Sequence, residues 1–98
     1  METLARHLVI RGRVQGVGYR AWAADEARMR GLEGWVRNRR DGSVEAVLAG
    51  PEAVVADMMA YCRRGPVSAR VDAIDEAAAS GDLLRLRGRE RFAVLPTV

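Results

Sequence analysis

The sequence of 98 residues contains no lysine, one cysteine and one histidine. Because Cys62 has no second cysteine to pair with, an internal disulfide is excluded and a reducing compartment, the cytoplasm, is expected. His7 is predicted on the outer face of the first strand, and Cys62 inside the second helix as a small hydrophobic residue. A Ser-His, Cys-His or zinc site therefore cannot be assembled, and no metal or cofactor is expected.

Long apolar runs are also absent. No segment approaches the roughly 20 apolar residues of a membrane-spanning helix, and the N-terminus lacks the apolar region of a signal peptide. With 49% hydrophobic residues and a net charge of +3, residues 1–98 are expected to form a single domain that interacts with no membrane. All sixteen basic residues are arginine, a bias that either genomic base composition or attraction of an anionic ligand would explain. The interspersed acidic residues argue against a continuous nucleic-acid-binding face.

The order of predicted elements is strand, helix, strand, strand, helix, strand. Alternating apolar residues predict strands at residues 5–14, 32–38, 43–49 and 69–77, with a short additional strand at 92–95. Helices are predicted from residue 19 to about 30, and from Pro51 to the Gly65-Pro66 pair. Residues 80–82 are predicted to be a loop. This order indicates an α+β fold, the ferredoxin-like split βαβ sandwich with two helices on one face of an antiparallel sheet.

The connection between the first strand and the first helix contains Gly16 and Gly18. Glycine allows a sharp turn and close approach of a ligand to the main chain. Since the turn leads directly into a helix, its N–H groups and the helix dipole should favour an anion at one position. Arg20 adds a planar guanidinium that can bind two phosphate oxygens together. The segment therefore predicts a binding site for a phosphate-like group.

The loop has three other possible interpretations. Gly16, Gly18 and Ala21 fit the spacing of a dinucleotide fingerprint, with Asp41 about 20 residues further on. However, the chain is too short for a Rossmann sheet, and a hairpin rather than a helical crossover joins the second and third strands. A P-loop would need Gly-Lys-Ser/Thr, which is absent. A purely structural turn would explain the glycines but not Gln15 and Arg20 beside them.

Two segments resemble the signatures of the acylphosphatase family. The first is Gly-x-Val-Gln-Gly-Val-x-Tyr-Arg at residues 12–20. The second is Gly-Trp-Val-Arg-Asn at residues 34–38, followed by Asp-Gly-Ser-Val at 41–44. Phe92 and Val94 resemble the last strand of the family, so the likeness extends over nearly the whole chain. Arg39 and Arg40 lie where the family is variable, and Arg30 stands where relatives often carry an apolar residue.

The resemblance implies a site and a mechanism. It assigns phosphate binding to Arg20, orientation of the attacking water to Asn38, and a phosphate-binding loop comprising Gln15, Gly16, Val17, Gly18, Tyr19 and Arg20. The Asn38 amide can both accept from a water and donate to phosphate, as positioning requires. No general base is evident, but a carboxylate leaving group with a pKa of roughly 4 departs without acid assistance. Phosphoryl transfer then depends on positioning and charge stabilisation.

The expected function is hydrolysis of an acyl phosphate to a carboxylate and orthophosphate by a cytoplasmic monomer. Inorganic phosphate or other small anions are expected to bind the same site. One alternative is a non-catalytic module that binds phosphate or carbamoyl phosphate. Another is an RNA-binding domain, because the commonest RNA-binding fold has the same element order and stacks bases on aromatic residues of its central strands. The predicted strands at 5–14 and 43–49 have no aromatic residue, so no nucleic-acid partner is expected.

Overall fold

A computed structural model describes residues 3–98, which form five strands and three helices. In chain order the elements are β1 (Thr3–Arg13), α1 (Tyr19–Met29), β2 (Glu33–Asn38), β3 (Val44–Pro51), α2 (Glu52–Arg64), β4 (Arg70–Ala78), α3 (Gly81–Arg85) and β5 (Phe92–Val94). The strands form one sheet in the order β4-β1-β3-β2-β5. Neighbouring strands are antiparallel, except that β5 is parallel to β2. The predicted ferredoxin-like fold is confirmed.

The main core lies between the sheet and the two longer helices. In α1 the side chains of Tyr19, Ala23 and Ala27 are buried, and α2 buries Val55, Met58 and Cys62. These side chains pack against the helix-facing residues of the sheet, including Leu8, Ile10, Val36, Val44 and Leu48. Fully burying an aliphatic side chain of this size contributes about 1.5–3 kcal/mol. Among the described residues, no helix is long and apolar enough to cross a membrane.

A second, smaller core occupies the opposite face of the sheet, where the prediction of a loop at residues 80–82 was wrong. The Ser80 hydroxyl accepts a hydrogen bond from the Leu83 N–H at 3.1 Å and so caps the N-terminus of α3. The Trp35 indole N–H donates to the Leu83 carbonyl at 2.7 Å. Trp35 consequently packs with Val47 and Ala93 beneath α3. Five residues are too few to show helical periodicity in the sequence.

Glu45 lies at the centre of a charge cluster on this outer face. His7 Nε2 lies 2.6 Å from Glu45 Oε2, and Arg37 Nε donates to Glu45 Oε1 at 2.7 Å. The Arg37 guanidinium also stacks 4.6 Å from the centre of the Trp35 ring. Burial raises the pKa of Glu45, but the hydrogen bonds and charges of His7 and Arg37 outweigh it and lower the pKa below its ordinary value. The cluster joins β1, β2 and β3 across the sheet.

This arrangement predicts a specific dependence of stability on pH. Because the folded-state pKa of Glu45 lies below its ordinary value of 4.5, the ionised carboxylate stabilises the fold fully above that pH. The contribution is lost as pH falls through the folded-state pKa. Glu45→Gln should therefore lose less of its free energy of unfolding between pH 7 and pH 3 than wild type, as measured by urea denaturation. Glu76→Gln, which changes an exposed carboxylate of β4, should retain the wild-type dependence. An equal loss in wild type and Glu45→Gln would contradict the assignment.

Candidate active site

A cavity of about 340 Å³ opens where the first turn of α1 approaches the ends of β2 and β5. Its lining consists of Val14, Gln15, Gly16, Gly18, Tyr19, Arg20, Ala21, Asn38 and Val94. The cavity thus brings together both predicted catalytic residues and every residue of the predicted phosphate-binding loop except Val17. That side chain packs against the main core instead.

The loop turns through two left-handed glycines. Gly16 has a φ of 73° and Gly18 a φ of 80°, a region that residues with a Cβ atom rarely adopt. A Cβ atom at either position would meet no protein atom within 4 Å, so the requirement for glycine is conformational. Gly18 is the N-cap residue of α1, and no side chain caps the helix or adds an acid to its first turn. The first N–H groups of α1 are therefore available to an anion.

Arg20 and Asn38 reach the cavity from different elements. Arg20, in the first turn of α1, is half-buried, and among the described residues its guanidinium forms no salt bridge. Asn38 ends β2, where it pairs with Val44 of β3. The Oδ1 atom of Asn38 is buried, yet it accepts no hydrogen bond from residues 3–98. Since nearly all buried polar atoms have partners, Asn38, a residue of the cavity lining, has an unused hydrogen-bond acceptor.

The Gln15 side chain connects the loop to the hairpin between β2 and β3. Its Nε2 donates to the Arg39 carbonyl at 2.7 Å and to the Ser43 carbonyl at 2.8 Å. Both amide hydrogens are thus used within the protein, and Gln15 does not offer them to a phosphate. The hairpin is shaped in turn by Asp41, whose Oδ1 accepts from the Ser43 hydroxyl and N–H at 2.6 and 2.9 Å. These hydrogen bonds lower the pKa of Asp41.

Tyr19 contributes its backbone to the cavity, while its side chain turns into the main core. Its hydroxyl donates to the Cys62 carbonyl at 2.7 Å. That carbonyl lies in the last turn of α2, and its usual partner four residues on is Pro66, which has no N–H. Cys62 therefore lies closer to the loop than the sequence suggested, although its thiol is buried in the core and burial raises the pKa of the thiol to about 11.

Sequence reasoning missed the apolar part of the cavity, formed by Ala21 and Val94. The available signal was the position of Val94 two residues after Phe92 in a strand, which places both side chains on the same face. Within residues 3–98, no group of three histidine, cysteine, aspartate or glutamate side chains is placed to hold a metal ion.

The Gln15 contacts lead to a prediction on stability and anion binding. Gln15→Met has a similar length but cannot donate, so the loop loses both hydrogen bonds to the hairpin. At about 0.5–1.5 kcal/mol for each bond, urea denaturation should show a loss of about 1–3 kcal/mol in the free energy of unfolding. Titration calorimetry should also show weaker binding of inorganic phosphate, because the loop is no longer held beside Asn38. Unchanged stability together with unchanged phosphate affinity would contradict this role.

Comparison with known proteins agrees with the resemblance found in the sequence. The acylphosphatase family model matches residues 6–89. Acylphosphatases of Rhodopseudomonas palustris strain BisB5 and Bradyrhizobium diazoefficiens are 59% and 62% identical to this chain, in each case over the full length of both chains. The crystal structure of acylphosphatase from Bacillus subtilis is 35% identical, with a TM-score of 0.82 over 94% of this chain and 98% of that one. This chain belongs to the acylphosphatase family.

Proposed function

We propose that the protein is an acylphosphatase, which hydrolyses the carboxyl–phosphate anhydride of an acyl phosphate to a carboxylate and orthophosphate. The observation that carries the proposal is the meeting of the glycine loop, Arg20 and the unpartnered Oδ1 of Asn38 in one cavity. Membership of the acylphosphatase family supports it. The site would lie within a single domain.

In the proposed mechanism the phosphoryl group is bound by the main chain and by Arg20. N–H groups of the loop and of the first turn of α1 donate to the phosphate oxygens, where the positive end of the helix dipole favours an anion. Arg20 donates to two phosphate oxygens through two N–H groups of its planar guanidinium. These donors are held in place before the reaction, so they stabilise the charge of the transition state without reorganisation. The phosphate-binding role of Gln15 is limited to holding the loop.

Asn38 orients the attacking water. Its Oδ1 can only accept a hydrogen bond, and a phosphate dianion has no hydrogen to donate, whereas water does. Water attacks phosphorus, the bond from phosphorus to the carboxyl oxygen breaks, and the bonding electrons leave with the carboxylate. The proton of the water passes to a phosphate oxygen, giving dihydrogen phosphate. The leaving carboxylate has a pKa of roughly 4 and needs no general acid.

The same acceptor favours an enzyme over the alternative of a non-catalytic phosphate- or carbamoyl-phosphate-binding module. A module that only bound the anion would use the amide donor of Asn38 alone and would leave its buried acceptor without a partner, although an unsatisfied buried group costs about 1–3 kcal/mol. An acceptor placed beside the phosphate is useful when a water must be held there.

The test is hydrolysis of benzoyl phosphate in the presence of EDTA, with wild type, Arg20→Lys and Asn38→Ala. At position 20, lysine retains the positive charge but cannot form the bidentate hydrogen bonds of a guanidinium. At position 38, alanine removes the hydrogen-bond acceptor. We expect chelator-resistant turnover by wild type and a loss of about 10²–10³ in kcat/KM in each variant. Arg63→Lys, an exposed arginine of α2 outside the cavity, is the matched control and should retain the wild-type rate.

Circular dichroism must show that each variant is folded. A folded variant that retains more than a tenth of the wild-type rate would exclude the role assigned to that residue. Wild-type protein that binds phosphate without turnover would leave the binding module as the explanation.

We further infer a cytoplasmic monomer whose ligand is a small molecule rather than a nucleic acid. The central strands β1 and β3 carry no aromatic residue on which bases could stack, and Trp35 of the neighbouring strand is buried beneath α3. The reduced, buried Cys62 thiol suits a reducing compartment. Filter binding to single-stranded RNA at moderate salt, light scattering and cell fractionation test these points. Retained RNA, a dimer mass or export would each exclude the corresponding inference.

A further inference from the structure

Val94 lines the candidate active site and remains exposed. Its solvent-exposed fraction is 44%, whereas its strand neighbours Phe92 and Ala93 are only 3% and 2% exposed. Phe92 packs in the main core and Ala93 in the outer core. Since side chains alternate along a strand, Val94 returns to the helix side of the sheet. There it faces the cavity instead of a helix, so its methyl groups are accessible to a ligand in the cavity.

The cavity has two chemically different parts. The polar part consists of the glycine loop, Arg20 and Asn38, which we have assigned to the phosphate and the water. The apolar part is formed by Ala21 and Val94, with the buried Val14 beside them. Arg20 is the only charged side chain in the lining formed by the described residues. A substrate whose phosphate lies against the loop must therefore place part of its remaining structure on an apolar surface.

The size of the cavity suits a small molecule with two such parts. Its volume of about 340 Å³ is near the lower end of the range of roughly 300–1,000 Å³ for ligand pockets. The apolar wall is also rigid, because Val94 pairs with Val36 of β2 and the Leu95 N–H donates to the Val36 carbonyl at 2.9 Å. A wall that is already ordered binds a ligand without an additional entropic cost.

We propose that Val94, together with Ala21, binds the acyl group, and that the preferred substrates are acyl phosphates with an apolar aliphatic or aromatic acyl group. The proposal rests on the acylphosphatase activity proposed above. A second charge on the acyl group would lie against Val94 and lose water without gaining a partner, which is unfavourable. An apolar group would instead exchange water for contact with the valine methyl groups. Val94 is thus assigned as a specificity-determining residue.

The experiment compares benzoyl phosphate with acetyl phosphate as substrates of wild type and Val94→Thr. Threonine retains the branched shape and the strand preference of valine but replaces a methyl group by a hydroxyl. The ratio of kcat/KM for benzoyl over acetyl phosphate should fall about fivefold, as expected when a partly exposed apolar contact is weakened. Val94→Ala, which removes methyl groups without adding a polar atom, should lower the ratio in the same direction. If the Val94→Thr variant does not fold, the Val94→Ala variant still tests the proposal.

Leu86→Thr is the matched control. Leu86 is 47% exposed, follows α3 on the opposite face of the sheet and lies outside the cavity lining, so its substitution should leave the ratio at the wild-type value. A ratio that stays at the wild-type value in both Val94 variants, while wild type hydrolyses both substrates, would overturn the acyl-binding role alone. Failure of wild type to hydrolyse either substrate would overturn the proposed function and this inference with it.

Discussion

The structure of the site depends on the left-handed turn at Gly16 and Gly18. β1 lies inside the sheet between β4 and β3, and the chain must reverse direction over a short distance after β1 for α1 to pack back on the sheet. Two glycines with positive φ make that reversal without a side-chain penalty. As a consequence, the N-terminus of α1 lies at the end of the sheet, beside the last residue of β2. The helix N–H groups and Asn38 meet there, although they come from separate parts of the chain.

Contacts on both faces of the sheet hold these two parts in register. On the helix side, Gln15 donates to two carbonyls of the β2–β3 hairpin, and the Tyr19 hydroxyl binds the end of α2. On the outer side, Arg37, next to Asn38 in β2, is bound to Glu45 of β3. The end of β2 is therefore supported both by Gln15, which lines the cavity, and by Arg37 and Glu45, which do not. The site is positioned by ordinary hydrogen bonds and ion pairs of the fold.

The long strands and helices of this architecture could be predicted, whereas the short segments could be predicted only in part. Alternation and helix-forming runs predicted β1 to β4, α1 and α2, because each is long enough to show a period. α3 has five residues and depends on a single serine cap, while β5 has three residues. The strand at 92–95 was predicted, but α3 was not, and the outer core over Trp35 and the parallel pairing of β5 appeared only in the structure.

The candidate site shows the same division. The glycine loop and Arg20 were recognisable because the backbone chemistry of the loop is local, whereas Asn38 was recognisable only through the resemblance of its motif to the second signature of the acylphosphatase family. The direction of the Gln15 side chain was not, since it depends on the Arg39 and Ser43 carbonyls of a hairpin more than twenty residues away in the chain. Val94 was likewise invisible as a cavity residue, because its exposure depends on where α1 ceases to cover β5. Local sequence thus predicts which groups belong to the candidate site, whereas tertiary packing determines what surrounds them.

The proposed mechanism divides the reaction among three elements, and none of the groups involved has to change its protonation state near neutral pH. The first turn of α1 supplies donors and positive charge, β2 supplies one acceptor, and β5 supplies an apolar surface. Arginine remains protonated and the asparagine amide does not titrate. Reactivity therefore depends on the geometry in which donors, acceptor and apolar wall are held together. This explains why a chain with one histidine, placed on the far face of the sheet with Glu45, can carry a hydrolytic site.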